Sequence, residues 1–391
     1  MPFASAMTTA SDAARAIDDV CSKALAELGE PPQLALFFFS SHFSDEAAFL
    51  ASELRQRVAS LAMLGCSAEA IVGNEQEIED RPALCLWLGT WRRPMKITPF
   101  HLQWQPTPDG HCLMGQPDAL DDADPSQAVV ILLGDPFTFP ADVFLKQVNE
   151  SHKGIRVVGG MASGGRMPGE CLVVKNGDVL AGGAVGVLLE GVSGIRTIVS
   201  QGCRPIGRHF VVTKARDNII LELGGKPPLL QLQQMWQELD ANDQHLLQQG
   251  LHLGYVINEY QDKFRRGDFL VRNVLGLERE TGAMAVTDRV RVGQTVQFHV
   301  RDADTADEDL RMLLRQDREQ HPRAPDGGLL FTCNGRGTRL FSAPHHDAQA
   351  IRQEIGAIPL AGFFAQGELG PVGGQNFIHG FTASVVLFDE E

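Results

Sequence analysis

VVILLGD (129–135), a helical stretch near 140–150, then IRVVGGMASGG (155–165): an apolar run, a helix and a second apolar run that breaks at glycine. Runs of this length, apolar at every position, suit strands buried on both faces, which arise when a helix carries the chain between parallel neighbours. Two other stretches read the same way. LALFFFS (34–40) leads through SDEAAFLASELRQRVAS (44–60), with Ser44 as the expected N-cap, to LAMLGCS (61–67). LLFTCNG (329–335) leads through a helix near 346–356 to IPLAGFFAQGELG (358–370). From strand start to the first glycine of the turn the distances are 31 residues (34 to 65), 30 (129 to 159) and 33 (329 to 362). Near-equal spacing predicts an internal β–α–β–Gly-turn repeat, although unrelated βαβ units share such lengths.

Outward from these units the chain turns to hairpins. LVVKNGDVLAGGAVGVLLEG (172–191) predicts one at Asn176-Gly177 followed by a further strand, and HFVVTKARDNIILEL (209–223) predicts another around residues 216–218. GIRTIVSQG (194–202), GYVINEY, DFLVRNVLGLE and QTVQFHVRD also read as strands. Residues 12–28 have helical spacing, residues 227–250 read as one helix of about five turns closed by Gly250, and a helix is expected over 304–315. QDREQHPRAPDGG (316–328) reads as a polar surface loop, and QNFIHGFTASVVLF (375–388) as a closing strand pair. The expected class is α/β (α+β): two lobes of mixed sheets covered by helices. The expected segments are a lead-in (1–29), a first domain (30–215) and a second (216–391).

A hydrophobic fraction of 43% lets both domains bury a core. The formal net charge of −15 opposes nucleic-acid or anionic-membrane binding. Seven cysteines, an odd number without a CxxC pair, argue for reduced thiols rather than disulfides or a zinc–thiolate centre. No apolar run reaches 18 residues and the N-terminus lacks the pattern of a secretory leader, so a cytoplasmic location is expected.

The GxxxxGK[ST], HExxH and GxSxG patterns are absent. What remains is five glycine-flanked polar clusters at strand ends. They hold Cys66 and Ser67; Gly160, Met161 and Ser163; Gln201 and Arg204; Cys333, Asn334 and Arg336; and Phe364, Gly367 and Glu368. Each alone reads as a turn. Five in equivalent positions point to a shared pocket in which glycine exposes backbone N–H groups to a ligand. Arg204, Arg272 (with Asn273), Arg301 and Arg336 could clamp a carboxylate. Cys333 could be a nucleophile beside arginine, with His299 or His379 as partner, or simply a small buried strand-end thiol. His345-His346 read as surface residues before a helix.

VVGGMASGG, VSQGCRPIG, DFLVRNVLG, GQTVQFHVRDADTADEDL, CNGRG and GFFAQGELGP…NFIHGFT together resemble the bacterial FIST family (F-box and intracellular signal transduction) from about residue 30 to 390. The resemblance implies a sensory protein with N- and C-terminal FIST halves. It implies a small ligand such as an amino acid, and the glycine clusters with their arginines point to an anionic or zwitterionic metabolite held between the lobes. It also implies a separate signalling partner, because no F-box, kinase, cyclase or methyl-accepting segment is found; a homodimer is also open. One branch of the family binds haem, for which His299, His379 or His346 would be the axial ligand. An enzyme using Cys333 or Cys66 and an interaction scaffold remain alternatives.

Overall fold

The computed structural model describes residues 2–390 apart from positions 109, 193, 262–263 and 265–266. With 41% of residues in strands and 25% in helices, sheets set the architecture. The chain forms two compact units: Met1–Val199 with Leu310–Ile378 and Thr382–Glu391, and Ser200–Asp309 with His379–Phe381.

The first unit is built from three passes of one plan. The first pass runs β1 (Phe3–Thr8), α1 (Ala13–Leu28), β2 (Leu34–Ser40), α2 (Ala47–Val58), β3 (Ala62–Ala68), the hairpin β4 (Ile71–Gly73) and β5 (Gln76–Ile78), then β6 (Leu84–Gly89). The second runs β7 (Lys96–Thr107), β8 (Gly110–Met114), β9 (Ala128–Gly134), α3 (Ala141–Ser151), β10 (Arg156–Met161), the hairpin β11 (Val173–Lys175) and β12 (Asp178–Leu180), then β13 (Ala184–Glu190). The third opens with β14 (Ile195–Gln201), and the barrel described below is inserted after it.

Within that insertion come β15 (Cys203–Arg216), β16 (Ile219–Leu223), α4 (Pro228–Trp236), α5 (Ala241–Gln249), β17 (His252–Val256), β18 (Phe269–Leu277), β19 (Met284–Val286) and β20 (Thr295–Arg301). The third pass resumes with α6 (Ala303–Gln320), β21 (Gly327–Cys333), α7 (His346–Glu354), β22 (Leu360–Ala365), the hairpin β23 (Glu368–Val372) and β24 (Gln375–His379), then β25 (Thr382–Phe388).

The same pairing recurs in every pass. β2 lies parallel to β3, β9 to β10 and β21 to β22, while β6, β13 and β25 flank the first strand of each pair antiparallel. The hairpins are exchanged in a cycle. That of the first pass (β4-β5) extends the third sheet, that of the second (β11-β12) the first sheet, and that of the third (β23-β24) the second sheet. The three glycines whose spacing was counted in the sequence lie inside β3, β10 and β22 rather than in turns, and the crossovers that carry the chain from one sheet to the next follow those strands.

A glycine on the second strand of each pair sits opposite a large residue of the first: Gly65 opposite Phe37, Gly159 opposite Leu132, Gly362 opposite Leu330. At Gly159, which has φ +136°, and at Gly362 a Cβ would collide with the partner strand's carbonyl oxygen.

The inner faces of the three sheets share one core, where the rings of Phe38 (β2), Phe331 (β21) and Phe363 (β22) meet at 5.1–6.4 Å. Each outer face has its own helical cover: α1 and α2, then α3, then α7 with the C-terminal part of α6. The second unit is a closed six-stranded barrel, ordered β15-β16-β19-β18-β17-β20, whose apolar interior is completed by residues of α4 and α5. Among the described residues no helix is long and apolar enough to cross a membrane.

Four local expectations are corrected. Ser44 caps nothing by its side chain: residues 41–46 form a 3-10 turn, and the Ala47 amide is already satisfied by the Ser44 carbonyl. The stretch 227–250 is two helices, because Asp240 takes an extended conformation and its carboxylate accepts the Asp243 amide, restarting the helix there. The first residues of the expected loop at 316–328 continue α6 to Gln320, where Asp317 is buried against Arg196. Strands β24 and β25 do not pair with each other: β24 joins β23, and β25 lies between β14 and β21.

Candidate functional site

The carboxyl ends of β3, β10 and β22 are where the three chain crossovers meet, and four of the five glycine clusters gather there. The Ser163 amide donates to the Ser67 carbonyl (3.2 Å), and the Ser163 hydroxyl donates to the Phe364 carbonyl while accepting the Glu69 amide at 2.9 Å. The Ser67 hydroxyl accepts the Leu172 amide at 2.9 Å. Met161 donates to the Gly367 carbonyl at 2.8 Å, Gly160 stands opposite Glu368, and the Asn334 amide donates to the Ala365 carbonyl at 2.9 Å. Cys66 is wholly buried in β3 opposite Val173. These polar groups therefore spend their hydrogen bonds on fastening one sheet to another.

One step beyond this knot, after β21, lies a buried group of charges. Arg336 is completely buried, and its Nε and Nη2 each donate to Asp347 at 2.7 Å. Thr332 Oγ1 donates to the same carboxylate at 2.6 Å, and His346 Nδ1 lies 2.9 Å from it. The His346 ring stacks on Phe341 (centroids 3.4 Å apart), over which the Arg336 guanidinium also lies. His345 and His346, expected at the surface, are thus half-buried supports of this group. Glu77, from β5, accepts the Ala348 amide at 2.8 Å and so caps α7 from another element. Glu368, at the start of β23, accepts the amide and hydroxyl of Thr382 on one oxygen, at 3.1 and 2.8 Å. The Cys333 thiol lies beside the Glu368 carboxyl and accepts the Gly335 amide at 3.4 Å.

Burial alone would raise Asp347, but Arg336 and His346 outweigh it and hold its carboxyl well below the ordinary range. Glu77 is raised by burial and by the nearby Asp347 charge. Burial pushes Glu368 up to about 8, with Thr382 opposing. At neutral pH the group therefore pairs one guanidinium with one carboxylate and keeps two further carboxyls largely neutral. Three of its buried atoms have no nitrogen or oxygen partner among the described residues: Arg336 Nη1, Glu77 Oε2 and Glu368 Oε1. The arrangement can offer one charged donor and two carboxyl oxygens that donate or accept according to their proton.

The remaining residues singled out from sequence belong to the barrel unit. Arg204 is engaged by Asp302 at 2.6 Å and by Asp243. Arg272 Nε donates to Asp288 at 3.0 Å, and Gln201 Nε2 to the Phe269 carbonyl at 2.7 Å. Asn273 stands opposite His252, and Arg301 lies over the Phe381 ring. His299 is buried with Nδ1 3.0 Å from the Gln297 carbonyl, and His379 is also buried. A separate cleft of ≈ 290 Å³ in the first unit is lined by residues such as Asn74, Glu75, Ile351 and Arg352, none of which the sequence had marked.

Glu77, Asp347, Thr332 and Thr382 were missed from sequence. An acidic residue in a helix's first turn, as Asp347 is, reads as a dipole partner, and only the fold shows that Arg336 lies behind it.

Against known proteins, the FIST N domain matches residues 33–226 and the FIST C domain residues 230–371. The chain is 42% identical over 383 residues to an uncharacterised protein of Mycobacterium tuberculosis, covering 98% of each chain. It is 41% identical over 384 residues to an uncharacterised protein of Mycobacterium bovis, covering 98% of this chain and 97% of that one. FIST domains are generally signal-transduction sensor domains that bind small ligands. Carrying both FIST domains along its length, the chain belongs to the FIST family.

Proposed function

We propose that this chain is a small-ligand sensor whose first unit takes an amino acid, or a similar small anionic or zwitterionic metabolite, at the Arg336–Glu77–Glu368 group. The observation that carries this is the set of three buried atoms without a nitrogen or oxygen partner among the described residues. Native proteins rarely bury polar atoms without a partner, and such atoms ask for an explanation. An α-carboxylate would take the Nη1–H of Arg336, and an ammonium would sit against Glu77 and Glu368, drawing off their protons. The site follows the carboxyl ends of parallel strands, where open α/β sheets commonly place ligands. On this reading the protein works in the cytoplasm and passes its output to a separate signalling protein.

The test is a thermal-shift and calorimetric screen of the full chain with the twenty common amino acids and the simple 2-oxo acids. At least one should bind, and Glu368→Gln, which keeps the shape, should weaken it about 10- to 150-fold, the loss of one charge-assisted hydrogen bond. Binding that ignores Glu368→Gln and Glu77→Gln alike would place the ligand elsewhere, and a silent screen would remove the reading.

A further inference from the structure

Among the seven cysteines Cys333 has unusual company. Cys66 and Cys85 are sealed in sheets, where burial raises both thiols (Cys85 to about 12). Cys112 stands half-exposed on β8. Cys333, 7% exposed at the end of β21, accepts the Gly335 amide, feels the Arg336 charge and lies beside the fully buried Glu368 carboxyl. A backbone N–H and a guanidinium favour a sulfur anion. A carboxyl within reach of the thiol can carry its proton. Two of the buried atoms without a nitrogen or oxygen partner among the described residues, Glu368 Oε1 and Arg336 Nη1, belong to these same neighbours.

We propose that Cys333 is a reactive thiol that adds reversibly to the carbonyl carbon of a small 2-oxo acid or acidic aldehyde, holding the ligand as a hemithioacetal or hemithioketal. The proposal rests on the reading of the site given above and, within its class of small anionic or zwitterionic metabolites, adds a covalent bond for those anionic members that carry a carbonyl group. In the step, the sulfur–carbon bond forms and the S–H bond breaks. The π pair of the carbonyl becomes an O–H bond. The Glu368 carboxyl gives its proton to the carbonyl oxygen and receives that of the thiol, ending as it began. Nothing is oxidised or reduced, and no further reactant is consumed. Arg336 Nη1–H is a ready donor to the oxygen as its charge develops, and the ligand's own carboxylate adds to the attraction.

The experiment uses the full chain with ¹³C-labelled glyoxylate. Carbon NMR should show a new protein-bound sp³ carbon, present in Cys112→Ser and absent in Cys333→Ser. On the unmodified chain, peptide mapping after iodoacetamide should show Cys333 alkylated and glyoxylate protecting it, so the test does not depend on the Cys333→Ser protein folding. Glu368→Gln should slow adduct formation roughly 100-fold, the usual scale of general acid–base assistance. No adduct signal, with Cys333 alkylation unchanged by glyoxylate, overturns the covalent proposal. The non-covalent reading survives that result if the amino-acid screen still depends on Glu368. An adduct without any amino-acid binding has the reverse meaning.

Discussion

Arg336 and Arg204 read alike in the sequence, each a cation just after a strand end rich in glycine and cysteine, and their surroundings could hardly differ more. Arg336 is wholly enclosed, and two of its nitrogens are committed to an equally enclosed Asp347. The Arg204 side chain stays 21% exposed on the barrel unit between Asp243 and Asp302, themselves 17% and 15% exposed. A charge with access to water can lose its partner and be rehydrated. A charge without water must keep its partner, so the surrounding structure becomes organised around it. The two arginines teach that the same residue in the same local context is a dispensable clamp in one place and a keystone in another, with burial deciding.

Breaking the enclosed pair should give the largest effect. Arg336→Ala or Asp347→Ala leaves a buried charge alone and should cost about 3–5 kcal/mol of stability, read from urea unfolding. The double replacement Arg336→Met with Asp347→Leu should recover much of that loss, because it removes both charges together. An equal loss in the double variant would mean that packing, not charge, holds this region.

Next in size is the backbone of the same unit. Gly159→Ala forces a Cβ against the Leu132 carbonyl at φ +136° and should cost on the order of 3 kcal/mol. Gly225→Ala in the barrel meets open space and should cost about 1 kcal/mol, from its φ of +78° alone. Equal losses at the two positions would deny the close approach of β10 to β9 at Gly159.

Arg204→Ala should cost about 1–2 kcal/mol, and added salt should shrink the difference, because its partners are partly solvated. A salt-independent loss matching that of Arg336→Ala would erase the contrast between the two.

A further contrast concerns pH. Glu368 in the folded chain titrates near 8, against an ordinary value of 4.5. Between those values the folded state holds a proton that the unfolded state has released, so this group makes stability fall as pH rises from about 4.5 to 8. Glu368→Gln removes that dependence. Its melting temperature relative to the unaltered chain should therefore rise from pH 5 to pH 8, and an unchanged difference would place Glu368 in contact with water.

The parts of this molecule that were legible in sequence are those set by neighbours along the chain. The three apolar–helix–apolar passes have parallel strands as their spacing implied, and the turns at Asn176-Gly177 and around Asp217 lie where hairpin chemistry put them, each with a non-glycine residue at positive φ. Long-range pairing was not legible. Each crossover hairpin has ordinary hairpin sequence, and nothing in it says that it extends the sheet of another pass. The interruption of the third pass by a closed barrel was hidden for the same reason. At the candidate site, Arg336, Cys333 and Glu368 were visible as polar residues beside glycine. Glu77 lies more than 250 residues earlier on a three-residue strand, and only the hairpin exchange brings it to α7.

If Arg336 and two largely protonated carboxyls hold a small zwitterion, its binding moves protons, and these can be counted. Calorimetric titration at pH 7 with a binding amino acid, in buffers of low and high ionisation enthalpy, should show heats that differ with buffer. An ammonium seated against Glu368 and Glu77 lowers their proton affinity and releases protons, and Glu368→Gln should remove a large share of the difference. Binding whose heat is the same in every buffer and unaltered in Glu368→Gln would mean that no ammonium sits against these carboxyls.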